Sequence, residues 1–131
     1  MLADSSVWID FFNGRVTPAT THLRSRVGVS DLYVGDLVMT EVLQGFRSDS
    51  DYRAARFALL SFRAITIVDR QVALDAADRY RMLRARGITP RKTIDTLIAT
   101  RCIIDGIPLL FSDRDFQPFV EHCGLIDAMA T

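Results

Sequence analysis

A short apolar run near the end of the chain, Pro108 to Phe111, limits the possible fold more than any other stretch. Four residues are too few for a helix, and the run lies between Gly106 and a polar segment, so it is predicted to be a buried strand. A helix over residues 116–123 is expected to follow and to end at Gly124. Similar short apolar runs alternate with helical patterns along the chain. This alternation predicts an α/β fold with a mostly parallel sheet and helices on both faces.

The same pattern predicts a single domain over residues 1–131 with a sheet of about five strands. Strands are expected at residues 2–4, 32–34, 65–68, 108–111 and 125–127. Helices are expected at residues 5–12, 15–27, 37–46, 70–86, 93–104 and 116–123, with another, capped by Ser48 to Asp51, before the third strand. Thr93 is expected to cap the helix that begins there.

Composition and length exclude several classes of protein. Hydrophobic residues make up 49% of the chain and charged residues 24%, which is typical of a globular rather than a disordered protein. The chain begins without a basic and apolar leader, and no uncharged apolar run approaches the roughly 20 residues of a membrane helix. The two cysteines, Cys102 and Cys123, are too few for a disulfide framework. We therefore expect a cytoplasmic protein without a membrane segment.

The net charge of zero, from 16 basic and 16 acidic side chains, by itself indicates no nucleic-acid partner. If five of the acids clustered around a cation, the remaining surface would carry 16 basic against 11 acidic groups, a net charge of +5. A neutral total is thus compatible with an acidic pocket inside a basic rim. A coding bias towards arginine explains the single lysine among the basic residues equally well.

Several acids fall where predicted strands end. Asp4 ends the first strand, and Asp113 and Asp115 follow the strand that begins at Pro108. In an open α/β sheet, ligands bind beyond the carboxyl ends of the strands, so these positions are candidates for a site. Taken one at a time, Asp4 and Asp113 are more commonly helix caps and Asp115 a first-turn acid.

Two further acids lie within predicted helices. Asp95 shares a helical stripe with Ala99 and Cys102, so it is expected to point towards packed structure. A first-turn carboxylate that faces the helix dipole is an equally good alternative for Asp95. Glu41 lies beside Val42 in a segment with almost no other charge, and the alternative there is a solvent-exposed edge of the helix.

Carboxylates that gather within a few ångströms cannot all stay ionised, and a divalent cation removes this conflict. Oxygen ligands without a nearby histidine or cysteine favour Mg²⁺ or Mn²⁺ over zinc. His22 and His122 are expected at the surface instead. Acid clusters that hold such ions carry out phosphoryl chemistry, so the residues alone predict a metal-dependent phosphoesterase.

Four segments resemble the acidic motifs of PIN-domain nucleases, in the same order and with compatible spacing: Leu2–Trp8, Thr40–Gly45, Ile94–Ala99 and Leu110–Phe116. The likeness is greatest to the VapC-type toxins of bacterial toxin–antitoxin pairs. This resemblance implies an endoribonuclease that holds Mg²⁺ or Mn²⁺ and hydrolyses RNA phosphodiester bonds with metal-activated water. Two departures are mild, because Ala3 replaces a larger apolar residue and Phe111 a common Thr or His.

The resemblance also assigns roles to individual residues. It implies a catalytic, metal-holding quartet of Asp4, Glu41, Asp95 and Asp113, with Asp115 as an accessory metal ligand. Asp4 and Asp95 are expected to be the most direct ligands. The other two of the quartet are expected to act through bound water, since Mg²⁺ often keeps several of its waters. Ser6 and Ser112 are expected to orient the carboxylates by hydrogen bonds.

The partners that the resemblance implies are RNA, a second copy of the chain in a homodimer, and a VapB-like antitoxin whose tail lies in a groove. Aromatic candidates to line that groove, each equally typical of a core, are Trp8, Phe11, Phe12, Phe46 and Phe57. Candidates for phosphate contacts, for which a solvated helix face is at least as good an explanation, are Arg79, Arg81, Arg84, Arg86, Arg91 and Lys92.

Three alternatives remain from the sequence. A catalytically silent domain would bind only RNA or an antitoxin. A receiver-like signalling domain normally has paired acids after the first strand and a lysine after a late strand, whereas here Ser5 follows Asp4 and the only lysine is Lys92 in a loop. A phosphatase of the haloacid dehalogenase type has a second aspartate where this chain has Ser6.

Overall fold

The computed structural model describes residues 1–29 and 31–130 of the chain. These residues form four strands, which are β1 (Leu2–Ala3), β2 (Tyr33–Gly35), β3 (Arg63–Ile65) and β4 (Leu109–Leu110). They also form seven α-helices, which are α1 (Ser5–Phe12), α2 (Pro18–Arg26), α3 (Asp36–Gln44), α4 (Asp49–Leu60), α5 (Arg70–Ala85), α6 (Thr93–Asp105) and α7 (Gln117–Cys123). Within the described residues, no helix is both long enough and apolar enough to cross a membrane.

The four strands form one sheet in the order β3–β2–β1–β4, and every neighbouring pair is parallel. In register, Leu2 lies opposite Leu109 and Ala3 opposite Leu110. The predicted α/β fold with a parallel sheet is confirmed, with four strands in place of about five. Because β1 and β4 are neighbours that run in the same direction, the segments that follow them emerge side by side.

The predicted edge strand at residues 125–127 is reduced to one bridge. Leu109 donates its backbone N–H to the Ile126 carbonyl at 2.9 Å, and an isolated parallel bridge joins Leu109 to Asp127. A short 3-10 turn over Ala128–Ala130 follows at once, and the Asp127 side chain accepts a hydrogen bond from Met129 N, which bends the chain away from the sheet.

The third strand lies earlier in the chain than the predicted residues 65–68. Side chains from elsewhere occupy the backbone groups of Ile67, because Asp36 Oδ1 accepts its N–H at 3.0 Å and Arg101 Nε donates to its carbonyl at 3.0 Å. These backbone groups therefore do not pair with a neighbouring strand. The alternation of Ile65 and Ile67 predicted a strand, but the polar partners of the backbone are distant in sequence.

Two predicted helix starts also differ from the structure. The second helix begins at Pro18 rather than Arg15, because Thr17 caps it by accepting a hydrogen bond from the Thr20 backbone. The sixth helix begins at Thr93, but Lys92 occupies the cap position and no side chain caps this end.

The core surrounds β1, whose two residues are completely buried, and its largest buried side chains are Trp8, Phe116 and Phe119. Arg101 fastens α6 to the segment before α5. Its side chain is only 13% exposed and forms ion pairs with Asp69 at 2.9 Å and with Asp105 at 3.2 Å. Because the same guanidinium also donates to Ile67, one side chain fixes the position of α6 relative to β3 and α5.

A substitution at Gly35 tests the packing at the end of β2. A Cβ atom there would lie 2.7 Å from Ile67 Cδ1 and 2.9 Å from Cγ1, and Ile67 is fully buried. We expect Gly35→Ala to lower the free energy of unfolding by about 1–3 kcal/mol in urea denaturation, the usual effect of overpacking. The control Gly45→Ala, where the nearest atom is 3.6 Å away, should stay within about 0.5 kcal/mol of wild type. Equal stability of the two variants would contradict this account.

Candidate functional site

Asp4 follows β1 directly and is held by contacts with β4 and α1. Its backbone N–H donates to the Leu110 carbonyl at 2.9 Å, and its side chain is only 3% exposed. One carboxylate oxygen, Oδ2, accepts hydrogen bonds from Ser6 Oγ at 2.9 Å and Ser6 N at 3.4 Å, which makes Asp4 the cap of α1. The other oxygen, Oδ1, is buried and has no hydrogen-bond partner in the described parts of the chain. Asp4 is thus a helix cap that keeps one oxygen free.

Asp95 occupies the first turn of α6 and is only 6% exposed. Ala99 and Cys102, which share its helical stripe, are buried as well. Its Oδ2 atom is buried, and no group of residues 1–29 or 31–130 donates a hydrogen bond to it. Burial, followed by the charge of Asp4, raises the pKa of Asp95 to about 7. The sequence placed this carboxylate among apolar neighbours, and the structure has it there.

Glu41 reaches the same region from α3. Its Oε1 atom is buried, again with no hydrogen-bond partner among the residues described. Burial and then the negative charge of Asp4 raise the pKa of Glu41, while the Ser5 side chain opposes this by hydrogen bonding. Glu41 also raises the pKa of Asp95, so the three carboxylates share one electrostatic environment. The alternative of a fully exposed helix edge does not hold for this half-buried side chain.

Asp113 and Asp115 enter from the segment after β4. Asp113 Oδ1 accepts a hydrogen bond from the Asp115 backbone N–H at 2.9 Å and so caps a short 3-10 turn over Arg114–Phe116. One carboxylate oxygen each from Asp95, Asp113 and Asp115 lie within 4.8 Å of one another. The charge of Asp113 contributes to the raised pKa values of both Asp4 and Asp95. Asp4 and Glu41 are not in this group of three, but the charge of Asp113 acts on Asp4 and the charge of Asp4 acts on Glu41, so they neighbour it.

These acids fit a hard divalent cation. A buried carboxylate oxygen is normally paired, yet Asp4, Glu41 and Asp95 each keep one without a partner within the described chain. The donors are all carboxylate oxygens, the ligands that Mg²⁺ and Mn²⁺ prefer. A cation among them would offset both the cost of burial and the repulsion that raise their pKa values. The donor chemistry thus fits a divalent metal.

The two serines expected beside the acids differ in position. Ser6 lies in the first turn of α1 and donates to Asp4, as described above. Ser112 is exposed, and within the described residues no hydrogen bond links it to the acid cluster. Ser5, which the sequence did not single out, lies close enough to Glu41 to affect its pKa. Its position next to Asp4 in the first turn of α1 was the available signal.

The predicted phosphate-binding residues separate into two groups. Arg91 and Lys92 lie at the acid cluster, where Arg91 Nη2 is 3.1 Å from Asp115 Oδ2 and Lys92 Nζ is 3.7 Å from Asp113 Oδ2. The structure therefore places two basic side chains directly at the acids.

The other group lies on α5 or at its end. Arg86 Nη1 is 3.4 Å from His122 Nδ1, and the Arg84 guanidinium lies 5.7 Å from the centre of the Tyr80 ring. Arg79 lies near Cys123 on the same side as His122, where these residues line one cavity. The structure does not bring these arginines to the acid cluster.

Most of the aromatic groove candidates belong to the core. Trp8 is fully buried and stacks on Phe12 at 5.8 Å, and Phe12 in turn contacts Phe46 at 6.0 Å. Phe11 packs edge-on against Trp8 at 5.9 Å. Phe57 differs, because it lies on α4 and is 81% exposed. Of the five, Phe57 is therefore the clearest surface candidate.

An acid cluster with only oxygen donors, beyond the ends of two parallel strands, is the arrangement expected of a metal-dependent phosphoesterase. Within that class, the chain belongs to the PIN domain family, which matches residues 1–120. It is 25% identical over 119 residues to VapC ribonuclease Mb1587 of Mycobacterium bovis and to Ribonuclease VapC11 of Mycobacterium tuberculosis. The matched region covers 89% of this chain and 89% of each relative.

Solved structures share the fold. One is a toxin–antitoxin complex from Klebsiella pneumoniae, with a TM-score of 0.70 and 19% identity. Another is VapBC2 from Rickettsia felis bound to a DNA fragment from the promoter of the pair, with a TM-score of 0.76 and 15% identity. Each comparison covers 95% of this chain and 94% of the other. At these identities the likeness supports the fold assignment.

The raised pKa of Asp95 predicts a pH-dependent stability of the metal-free protein. The folded protein holds a proton on Asp95 up to about pH 7, whereas the unfolded chain releases it near its ordinary pKa of 3.8. The free energy of unfolding should therefore fall as pH rises between these values and stay low above them. In EDTA, we expect Asp95→Asn to have a higher Tm than wild type at pH 8 and a smaller loss between pH 5 and 8.

The matched control is Asp78→Asn, which removes an exposed carboxylate from α5. It should reproduce the wild-type dependence of Tm on pH, measured by circular dichroism. A lower Tm for Asp95→Asn than for wild type at pH 8 would show that the ionised Asp95 carboxylate does not destabilise the fold.

Proposed function

We propose that this protein is a divalent-metal-dependent endoribonuclease that acts as the toxin of a VapBC-type toxin–antitoxin pair. The observation that carries the proposal is the set of buried carboxylate oxygens on Asp4, Glu41 and Asp95 that lack partners in the described chain. Membership of the PIN domain family and the ribonuclease names of the relatives support RNA as the substrate.

Held by these acids, Mg²⁺ or Mn²⁺ would supply polarisation of the phosphate and activation of water. Asp4 and Asp95 would be its direct ligands, since both residues are almost completely buried and each presents a free oxygen. Asp113 and Glu41 act through bound water, and Asp115 is an accessory acid at the rim. The Ser6 hydroxyl fixes the Asp4 carboxylate by its 2.9 Å hydrogen bond, and so sets the direction of the free oxygen.

Glu41 is suited to accept the proton of the attacking water. Its Oε1 atom is buried and has no hydrogen-bond partner within the described residues, so it is available to accept this proton. Asp113, at the outer edge of the cluster, orients a bound water on the side open to solvent. Asp4 Oδ2 and Asp113 Oδ1 are engaged in helix capping, so the roles proposed for these two residues fall to Asp4 Oδ1 and Asp113 Oδ2.

We further propose a cytoplasmic homodimer that binds a VapB-like antitoxin. The two similar structures are a toxin–antitoxin complex and VapBC2, which supports this class of partner. Helix α4 offers a contact surface, because Phe57 is 81% exposed and Leu60 is 62% exposed there. Exposed large apolar side chains that lie close together are typical of surfaces that bind another protein.

Cleavage of total bacterial RNA by the antitoxin-free protein tests the proposed activity. We expect discrete fragments with Mg²⁺ or Mn²⁺ and none with EDTA. Asp4→Asn and Asp95→Asn should each reduce the rate by at least about 100-fold, because even residues that only support metal ligands contribute 10–100-fold. Both variants should keep the far-ultraviolet circular dichroism of wild type.

Asp78→Asn again serves as the control and should cleave like wild type. Unchanged cleavage by both Asp4→Asn and Asp95→Asn would contradict the assignment of the site. Binding of RNA by a folded, metal-loaded protein without any cleavage would instead favour a catalytically silent domain.

A further inference from the structure

Two acids of the cluster are paired with basic side chains from the loop that precedes α6. Arg91 Nη2 donates to both oxygens of Asp115 at 3.1 Å each, and Lys92 Nζ lies 3.7 Å from Asp113 Oδ2. The charge of Lys92 also lowers the pKa of Asp95, against the larger effect of burial. These two side chains thus place positive charge next to the acid cluster.

We propose that Arg91 and Lys92 are exchangeable counter-ions, which neutralise Asp115 and Asp113 until a divalent cation binds and then contact a phosphate of the RNA. This inference rests on the proposed metal-dependent cleavage of RNA. It assigns to two neighbouring residues a first role as competitors of the metal and a second role as substrate-binding groups.

The exposure of the two pairs makes such an exchange feasible. The Arg91 side chain is 75% exposed and that of Lys92 is 57% exposed, and ion pairs in such positions stabilise proteins little. The lysine contact at 3.7 Å is longer than a hydrogen bond. Both side chains are long and exposed, so a change of rotamer can move them away from the carboxylates while the backbone stays in place.

Once released, the two charges lie where a phosphate must come. Lys92 immediately precedes α6, whose first turn carries Asp95, and its backbone carbonyl accepts the Thr96 N–H at 3.3 Å. The backbone at Lys92 is therefore fixed to the helix that bears the site. A guanidinium offers two parallel donors to a phosphate, and an ammonium offers a compact charge.

The contacts of Arg84 and Arg86 separate these two arginines from Arg91 and Lys92. Arg84 lies over the Tyr80 ring, and Arg86 lies near His122 at the opposite end of α5 from its start at Arg70. Neither is paired with an acid of the cluster within the described residues. A dependence of metal affinity on basic charge is therefore expected from Arg91 and Lys92 and not from those arginines.

The first test is the affinity for Mn²⁺, measured by isothermal titration calorimetry on the full chain at 0.15 M salt. Removal of a competing exposed ion pair should tighten Mn²⁺ binding by about two- to fivefold for Arg91→Gln and for Lys92→Gln. Lys92→Arg, which keeps the charge, should bind like wild type. The control Arg53→Gln removes the same charge from an exposed position of α4 and should leave the affinity unchanged.

The outcomes separate this inference from the proposed function. If wild type binds Mn²⁺ and the two glutamine variants bind it with the same or lower affinity, the exchange is disproved while the metal site stands. Equal tightening by Arg53→Gln would show a general effect of net charge and also disprove it. If wild type binds no Mn²⁺, the proposed function fails together with the inference.

The second test concerns the transfer to RNA. At saturating Mn²⁺, the double variant Arg91→Gln/Lys92→Gln should have a raised KM for RNA cleavage with a smaller change in kcat. Loss of two phosphate contacts should also make the slope of log KM against log salt concentration shallower by about 1.4, since each contact with a single strand contributes about 0.7. An unchanged KM with an unchanged salt dependence would show that the released side chains do not bind the substrate.

Discussion

The burial of several carboxylates close together is the constraint on which the rest of this structure depends. Asp4 and Asp95 are almost completely buried, burial is the main cause of the raised pKa of each, and the charge of Asp113 adds to the rise at both. Such an arrangement opposes folding in the absence of a counter-charge. The surrounding core and the contacts of Arg101 with Asp69 and Ile67 must therefore keep α6 in place despite this cost in free energy. A cation is expected to bind here, because it would offset that cost and also form new bonds.

The topology explains why these acids meet. The parallel neighbours β1 and β4 end at the same edge of the sheet, where Asp4 caps α1 and Asp113 caps a 3-10 turn. Helix α3, which follows β2, brings Glu41 to this edge, and helix α6, which precedes β4, brings Asp95 there. Capping and metal binding do not compete, because Asp4 uses one oxygen to cap and keeps the other free. Asp4 is thus a helix cap, and it keeps one oxygen available for the proposed site.

The sequence predicted what depends on local pattern and failed where distant side chains decide. The stripe shared by Asp95, Ala99 and Cys102 placed that acid in packed structure, as found. The third strand was misplaced because Asp36 and Arg101 bind the backbone of Ile67, and neither contact is visible in the pattern of residues 65–68. The last strand was overextended because Leu125–Asp127 is apolar enough to pair but turns away after one bridge. The ion pairs of Arg91 and Lys92 likewise join segments that are about 20 residues apart, beyond the reach of any local rule.

The location of bound Mn²⁺ tests the central claim most directly, through its anomalous scattering in crystals of the metal-loaded protein. We expect an anomalous peak in contact with carboxylate oxygens of both Asp4 and Asp95, with Asp113 on its outer side. We also expect Asp4 Oδ2 still to accept the hydrogen bond from Ser6. Manganese bound only at exposed acids such as Asp49 and Asp51, with Asp4 and Asp95 free of metal, would contradict the account.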